Sequence, residues 1–364
     1  MKHHECGSGE PKAEPGRRQG GSFAPGESRR EFLKVVAALG AGAIVPAGAL
    51  IAQTAGSGAR PKTGRIDVHH HFLPPAYITG TSAGRTHSNW TPAVAMADMD
   101  KYGTATAVVS IASPGAWTGN AEESRKLARG YNEYGAQMMH DNPARFGLFA
   151  AVPFPDVDGT LKEIEHAFDV LKADGIGIIT SYNDKWPGDP LFMPIWQELN
   201  RRKAVVFIHP TNPACCSNFP PGVGAGWTEF DFDSMRAVES LLINGVTARC
   251  PDVRIIITHS GGVVPVLAGR INDRFPKNRP DLAPQGVLYE LKKLYYECAH
   301  ATYPPPLAAL VKFAPVSQFL FGTDYPMEPT ETTTKALGES DLTPRILRAL
   351  ARENAERLFP RLKG

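Results

Sequence analysis

Four histidines and one aspartate in this chain stand where apolar runs end, and their types are those that hold a divalent cation. His69 and His71 lie in "RIDVHHHFLPP", His209 in "VVFIHP", His259 in "IIITHSGG" and Asp324 in "FGTDYP". Side chains at i and i+2 of a strand share a face, so His69 and His71 can reach one ion while His70 turns to the other side, packed or hydrogen-bonded there. Imidazole nitrogens with a carboxylate suit Zn, Mn or Fe better than Mg or Ca. Asp67, two residues before His69, is expected on the same face as a partner that orients a ligand. Each residue alone has an ordinary explanation, a strand-end hydrogen bond for His209 or a turn or helix cap for Asp324. Taken together they favour a metal site.

The elements that must position these groups are eight short runs rich in apolar and β-branched residues. They are Arg65–Phe72, Ala105–Ala112, Phe146–Pro153, Gly175–Tyr182, Ala204–Pro210, Val253–Gly261, Leu294–His300 and Ser317–Pro326. Between them lie stretches with helical spacing, among them Ala121–Met139, Gly159–Lys172, Leu191–Arg202 and Asp233–Arg249. Strands alternating with helices pair in parallel through right-handed crossovers, and eight such units close into an α/β fold of the (β/α)8 TIM-barrel type. Chemistry in that fold sits at the C-terminal ends of the strands, where all five groups fall. About 300 residues follow Ala59, a comfortable length for one such barrel, so a single metal-dependent domain is expected over 60–364.

The preceding chain reads differently. Residues 1–27 are rich in Gly, Pro, Ser and charge and too polar for a core, which predicts a disordered tail. In 28–59, Ser28, Arg29, Arg30, Phe32, Leu33 and Lys34 match the twin-arginine export pattern, and Val35–Ala52 fits the apolar part of a signal. A membrane anchor is the alternative, since the stretch approaches the ~20 residues that span a bilayer. Its Gly and Ala content favours the signal, hence no stable membrane span in the mature form, a periplasmic or exported location, and the twin-arginine machinery as a partner. Cleavage is open between Ala47–Ala49 and Ser57–Ala59. That route carries folded proteins, so metal can be loaded before export. The formal charge of +2 gives no reason to expect nucleic acid. The five cysteines form no zinc-type pair and read as structural or incidental, with an adjacent Cys215–Cys216 disulfide left open.

The ordered set "IDVHHHFLPP", "VVFIHP", "IIITHSGG", "QFLFGTDYP" and "RENAERLF" resembles the amidohydrolase superfamily over nearly all of 65–358. Two-metal members of that superfamily use a strand-4 lysine to bridge their ions. Strand 4 here reads "GIGIITSY", with Lys185 only in the loop beyond, which points to one metal. Within the superfamily the chain is similar to the aminocarboxymuconate-semialdehyde decarboxylase-like branch. The texture of "FGLFAAVPFPDVDGTLKEIEHAFDVLKADGIGIITSYNDKWPGDPLF", "NRRKAVVFIHPTNPACC" and "GVLYELKKLYYECAH" is similar to its 6-methylsalicylate type.

The resemblance implies an amidohydrolase-type barrel in which His69, His71, His209 and Asp324 hold one divalent ion, Zn or Mn, with His259 as an acid or base beside it. His259 becomes a ligand instead if a second ion binds. The implied reaction is loss of carbon dioxide from a small ortho-hydroxy aromatic acid after protonation of the ring carbon by Asp324 or through His259. Trp90, Trp117, Tyr182, Trp186, His300 and Tyr325 are candidates to wall an aromatic ring, and Arg85 and Arg125 to hold a second carboxylate. Some relatives borrow an arginine from a neighbouring subunit, which leaves a homodimer open. Gly261–Gly262 either brings backbone close to substrate or serves packing. Two other functions compete: hydrolysis of a lactone or related ester with His259 as general base, and non-enzymatic metal binding by an exported protein.

Overall fold

Alternation of branched and aromatic residues gives every strand an inner and an outer face, and the inner faces enclose one lumen. Residues 64–363, apart from Asp184 and Ser217, are described by a computed structural model. The expected tail and export segment lie outside the described residues. The strands are β1 (Arg65–His71), β2 (Thr104–Ser110), β3 (Phe146–Ala151), β4 (Gly175–Ile179), β5 (Val205–His209), β6 (Arg254–Ile257), β7 (Tyr295–Glu297) and β8 (Phe319–Leu320). Each pairs in parallel with the next. β1 and the end of β8 complete the ring through the bridges Asp67↔Phe321 and His70↔Tyr325. Among the described residues, no helix is long and apolar enough to cross a membrane.

One crossover helix packs outside the barrel after each strand: α1 (Pro92–Tyr102), α2 (Ala121–Asp141), α3 (Val157–Glu165), α4 (Met193–Arg201), α5 (Glu229–Ile243), α6 (Val264–Arg274), α7 (Pro304–Phe313) and α8 (Thr330–Gly338). Their starts follow from local chemistry. Thr91, Asn120 and Asp156 each accept a backbone N–H of the first turn, of Val94, Glu123 and Gly159. The expected helix over Asp233–Arg249 breaks after Ile243, because Gly245 adopts a left-handed φ of 69° and restarts the chain as Val246–Arg249.

Ile66, Val68, Val108, Phe149, Val205, Phe207, Ile256 and Leu320 fill the lumen, joined by Leu358, Phe359 and Leu362 from the C-terminal segment. Phe149 stacks on Phe207 with centroids 5.0 Å apart. Gly175 makes room for that pair, since a methyl there would lie 2.9 Å from the Phe149 ring. Cys250 and Cys298 are buried, and Cys215 and Cys216, in the loop after β5, place their sulfurs 2.8 Å apart without a disulfide.

The eighth strand corrects the expectation most. Only Phe319–Leu320 is regular, against an expected Ser317–Pro326, because the backbone leaves the strand conformation on the way to Asp324, which has φ 63°. β1 also departs from simple alternation. Its register against β2 slips between Asp67 and His70, which pair with Ala107 and Val109. The extra residue moves the lumen face from Ile66 and Val68 to His69 and His71.

Candidate metal centre

The strand ends bring His69, His71, His209, His259 and Asp324 together, all buried. Asp324 Oδ1 lies 3.0 Å from His69 Nε2, 2.7 Å from His71 Nε2 and 3.9 Å from His209 Nε2. Asp324 Oδ2 faces His300 Nε2 at 2.8 Å and His259 Nε2 at 3.6 Å. Donor atoms of His69, His209, His259 and Asp324 all lie within 4.8 Å of one another. The two oxygens of Asp324 therefore serve two groups, the imidazoles of β1 and β5 on one side and those after β6 and β7 on the other.

Each of the first three imidazoles has its outer nitrogen engaged by an acceptor. His69 Nδ1 meets Glu297 Oε1 at 2.8 Å, His71 Nδ1 meets the Ser110 carbonyl at 3.2 Å, and His209 Nδ1 meets the Pro210 carbonyl at 2.7 Å. A carbonyl or carboxylate oxygen only accepts, so Nδ1 carries the hydrogen and the Nε2 lone pair is left for a cation. His209 Nε2 and Asp324 Oδ1 are buried with no hydrogen-bond partner, as is His259 Nε2. Orphaned buried donors and acceptors are costly, and a cation among them would satisfy several at once.

The electrostatics fit the same group. Burial pulls His71 down to about 3 and His259 to about 4, and it also lowers His209, so these rings are neutral. Burial opposes a charge on His69 as well, but Asp324 and Glu297 outweigh it and raise this imidazole to about 10. Burial would raise both carboxyls, yet His69 holds Glu297 below its ordinary range, and His69 with the surrounding imidazoles holds Asp324 well below. The two buried carboxylates thus favour positive charge at His69 between them, and a divalent ion bound at its Nε2 would supply that charge in place of the ring proton.

Glu297 was legible only as an acid inside the apolar run of "LYYECAH", and its role was not read. Besides His69 it accepts the backbone N–H groups of His259 and Ala299, each at 2.6 Å. It couples β7 to the ends of β1 and β6. Gly322 allows this approach, for a methyl there would collide with the Glu297 carboxyl and lie 2.8 Å from His69 Cβ. Glu297→Gln should weaken metal affinity about 10- to 100-fold by loosening the His69 ring, measured by competition with a chromogenic chelator.

Asp67 does not share the face of the ligands. The slip in β1 turns it outward, where it accepts the N–H of His69 at 3.0 Å, the Thr323 hydroxyl at 2.6 Å and His70 Nδ1 at 3.2 Å. It ties β1 to β8. His70 stacks on Tyr325 with centroids 4.8 Å apart, so that ring is spent on the scaffold. Trp186 Nε1 donates to Asp233 at 2.8 Å, and Trp90 is part of the main core. Trp117 packs half-buried against that core. The Tyr182 hydroxyl accepts the Ile179 N–H at 2.8 Å, and its ring stacks on Phe154. Of these aromatic candidates, His300 alone reaches Asp324. Arg125 is engaged by Asp156, and Arg85 donates to the Thr79 carbonyl. Gly261 serves packing, with a methyl there meeting the Tyr296 ring at 2.7 Å. Lys185 pairs with Asp189, and β4 carries no lysine.

His259, Ser260, His300 and Asp324 all adopt left-handed φ, between 53° and 63°. Such strain in residues other than glycine clusters where side-chain direction matters more than backbone comfort. Here it aims three of the site's side chains.

Comparison with known proteins gives a consistent family. Residues 66–361 match the amidohydrolase family. The chain is 36% identical to a "Decarboxylase macB" of Penicillium terrestre, over 82% of this chain and 96% of that one. It is 33% identical to a 6-methylsalicylic acid decarboxylase of Penicillium expansum, over 82% and 97%. A dihydroxybenzoic acid decarboxylase from Polaromonas sp. JS666, solved with bound manganese and the inhibitor 2-nitroresorcinol, shares the fold with a TM-score of 0.72 at 20% identity, over 82% and 97%.

Proposed function

This chain belongs to the amidohydrolase family, and from that membership, its decarboxylase relatives and the donor set we propose that it is a carboxy-lyase. Its reaction is the non-oxidative decarboxylation of a small aromatic acid with a hydroxyl ortho to the carboxylate. The observation that carries this reading is the division of Asp324, one oxygen toward the imidazoles of His69, His71 and His209 and the other toward His259 and His300.

His69, His71, His209 and Asp324 would hold one divalent ion, manganese or zinc. Manganese in structural relatives supports the first and the nitrogen-rich donor set the second. When bound, the ion supplies Lewis acidity and a seat for the carboxylate and its ortho-hydroxyl. His300, whose ring is partly exposed, takes a proton from solvent and passes it to Asp324 Oδ2, 2.8 Å away. Asp324 delivers that proton to the ring carbon bearing the carboxylate. The bond to the carboxylate then breaks, carbon dioxide departs, and the electron pair of that bond restores aromaticity. His300 and His259 border the same oxygen and stabilise the carboxylate left behind. Breaking the carboxylate bond without prior protonation would leave an unstabilised sp2 carbanion, so the acid is the necessary group.

The test is carbon dioxide release by the metal-loaded mature chain on salicylates, resorcylates and vanillate-type acids, beside a lactone panel. Release from ortho-hydroxy acids with no lactone opening is expected. Lactone opening that depends on His259, with silence on every acid, would make the protein a hydrolase instead.

Two features carried from the sequence belong to the same proposal. The pattern at Ser28–Lys34 supports export of the loaded barrel through the twin-arginine machinery, with residues 60–364 as the mature domain. Cell fractionation with N-terminal sequencing of the mature protein tests it. The resemblance leaves a homodimer open, and light scattering tests it.

A further inference from the structure

The loop that follows β5 carries a pair of adjacent thiols that the chemistry above does not use. Cys215 is exposed and Cys216 half-buried, and the Cys216 N–H closes the turn that carries them by donating to the Pro213 carbonyl at 3.1 Å. Their sulfurs stand 2.8 Å apart. Closing that gap to the ~2.05 Å of a bond asks for movement of two side chains in the loop and not of the barrel. Consecutive Cα atoms are ~3.8 Å apart, below the roughly 4.4–6.8 Å that disulfides usually span, so the ring closed between neighbours is strained. A strained, accessible disulfide is readily reduced again, which suits a reversible device better than a permanent staple.

The pair is joined to the barrel mouth from two sides. Along the chain, Thr211 lies between it and His209 and is held twice, its N–H donating to Thr180 Oγ1 at 3.0 Å and its hydroxyl meeting Ser113 Oγ at 2.8 Å. Across the loop, Arg236 of α5 donates to Glu229 at 2.9 Å and stands 3.9 Å from Asp233. Burial opposes the charge of Arg236, but Glu229, Cys216 and Asp233 outweigh it and raise the guanidinium, so Cys216 lies within its field. Asp233 in turn accepts from Thr180, Ser181 and Trp186. His209 has a separate hold, because its carbonyl accepts the Thr180 N–H at 2.9 Å where β5 pairs with β4.

We infer that Cys215 and Cys216 form a reversible redox site, oxidised by a small-molecule disulfide to a bond between them that loosens the β5–α5 loop and weakens substrate binding while the metal is retained. The exposed Cys215 thiolate attacks one sulfur of the oxidant, forming a mixed disulfide and releasing the first thiolate. The Cys216 thiolate then attacks the Cys215 sulfur, closing the ring and releasing the second. The protons of the two cysteine thiols end on the two thiolates released, so the pair loses two electrons and the oxidant gains them. Strain from the ring falls on the turn and the Thr211 contacts, since the strands that carry the ligands are paired around the barrel. The site goes beyond the decarboxylase reading, and only its kinetic consequence rests on that reading.

The experiment treats the manganese-loaded full chain with reduced or oxidised glutathione and maps the cysteine peptides by mass spectrometry. Metal content is measured in parallel, with kcat and KM on the ortho-hydroxy acid that the protein decarboxylates fastest. Oxidation should remove two hydrogen atoms from the peptide that carries Cys215 and Cys216, and dithiothreitol should restore them. KM should rise about fivefold or more, the lower end of coupling between linked sites, with kcat and metal content held. Cys216→Ser should trap glutathione on Cys215, and the double variant Cys215→Ser with Cys216→Ser should keep its KM in the oxidant. A pair that stays reduced in excess oxidised glutathione, or a bond from either thiol to another cysteine, overturns the site. A ring that forms and leaves KM unchanged, or that acts through loss of metal, overturns its effect on the mouth. Absence of carbon dioxide from every acid overturns the decarboxylase reading alone, and the peptide map then decides the redox site.

Discussion

Asp324→Asn is expected to fold and to lose carbon dioxide release by about 10³-fold or more. The amide has the shape of the carboxyl but carries no transferable acid proton and no charge. Asp324 is buried among five imidazoles within 3.9 Å, so the charge it supplies there has no nearby replacement from solvent. The change therefore removes the acid of the reaction and one metal-facing oxygen together. Single-turnover assays on protein loaded at saturating manganese separate these effects, because saturation restores occupancy and leaves the missing acid exposed. Turnover within tenfold of the wild type under that condition would remove Asp324 from the proton step.

His209→Ala has the second large effect expected, on metal retention. Its Nδ1 is fixed by the Pro210 carbonyl and its Nε2 has no hydrogen-bond partner, so that nitrogen is the donor the ring offers to a metal. Deleting it should reduce bound metal from one ion per chain to a small fraction after gel filtration, measured by elemental analysis. Stability supplies an independent readout. A ligand at 100 times its dissociation constant adds about 2.7 kcal/mol to the folded state. Stripping metal from the wild type should lower Tm by several degrees, and the same treatment should leave His209→Ala nearly unmoved. Full occupancy in the variant, with an unchanged metal-dependent Tm, would show that His209 is not a ligand.

Much of this site was legible because its spacing is local. The i, i+2 histidines of β1 and the terminal histidine of β5 lie within continuous apolar runs, and an alternating strand has few ways to present them. Alternation failed where the backbone departs from it. The slip in β1 turned Asp67 away from the ligands, and nothing in "RIDVHHH" marks an extra residue. The left-handed residues after β6, β7 and β8 aim His259, His300 and Asp324, which no propensity for these residue types would foretell. Glu297 was missed because its partners, His69 and the backbone at His259, come from β1 and the end of β6. The partners of the aromatic residues near the rim were hidden for the same reason. Asp233, on α5, holds the indole N–H of Trp186 from far along the chain.

The most direct test is to incubate the metal-loaded protein in D2O with an ortho-hydroxy aromatic acid labelled with carbon-13 at the carboxyl, and to follow both products by NMR. Protonation at the carbon that bore the carboxylate predicts label appearing as carbon dioxide and bicarbonate, with one deuterium at that ring carbon in the phenol. Both signals should vanish together in Asp324→Asn. Label release without deuterium at that carbon, or an intact labelled acid beside an opened lactone control, would contradict the mechanism.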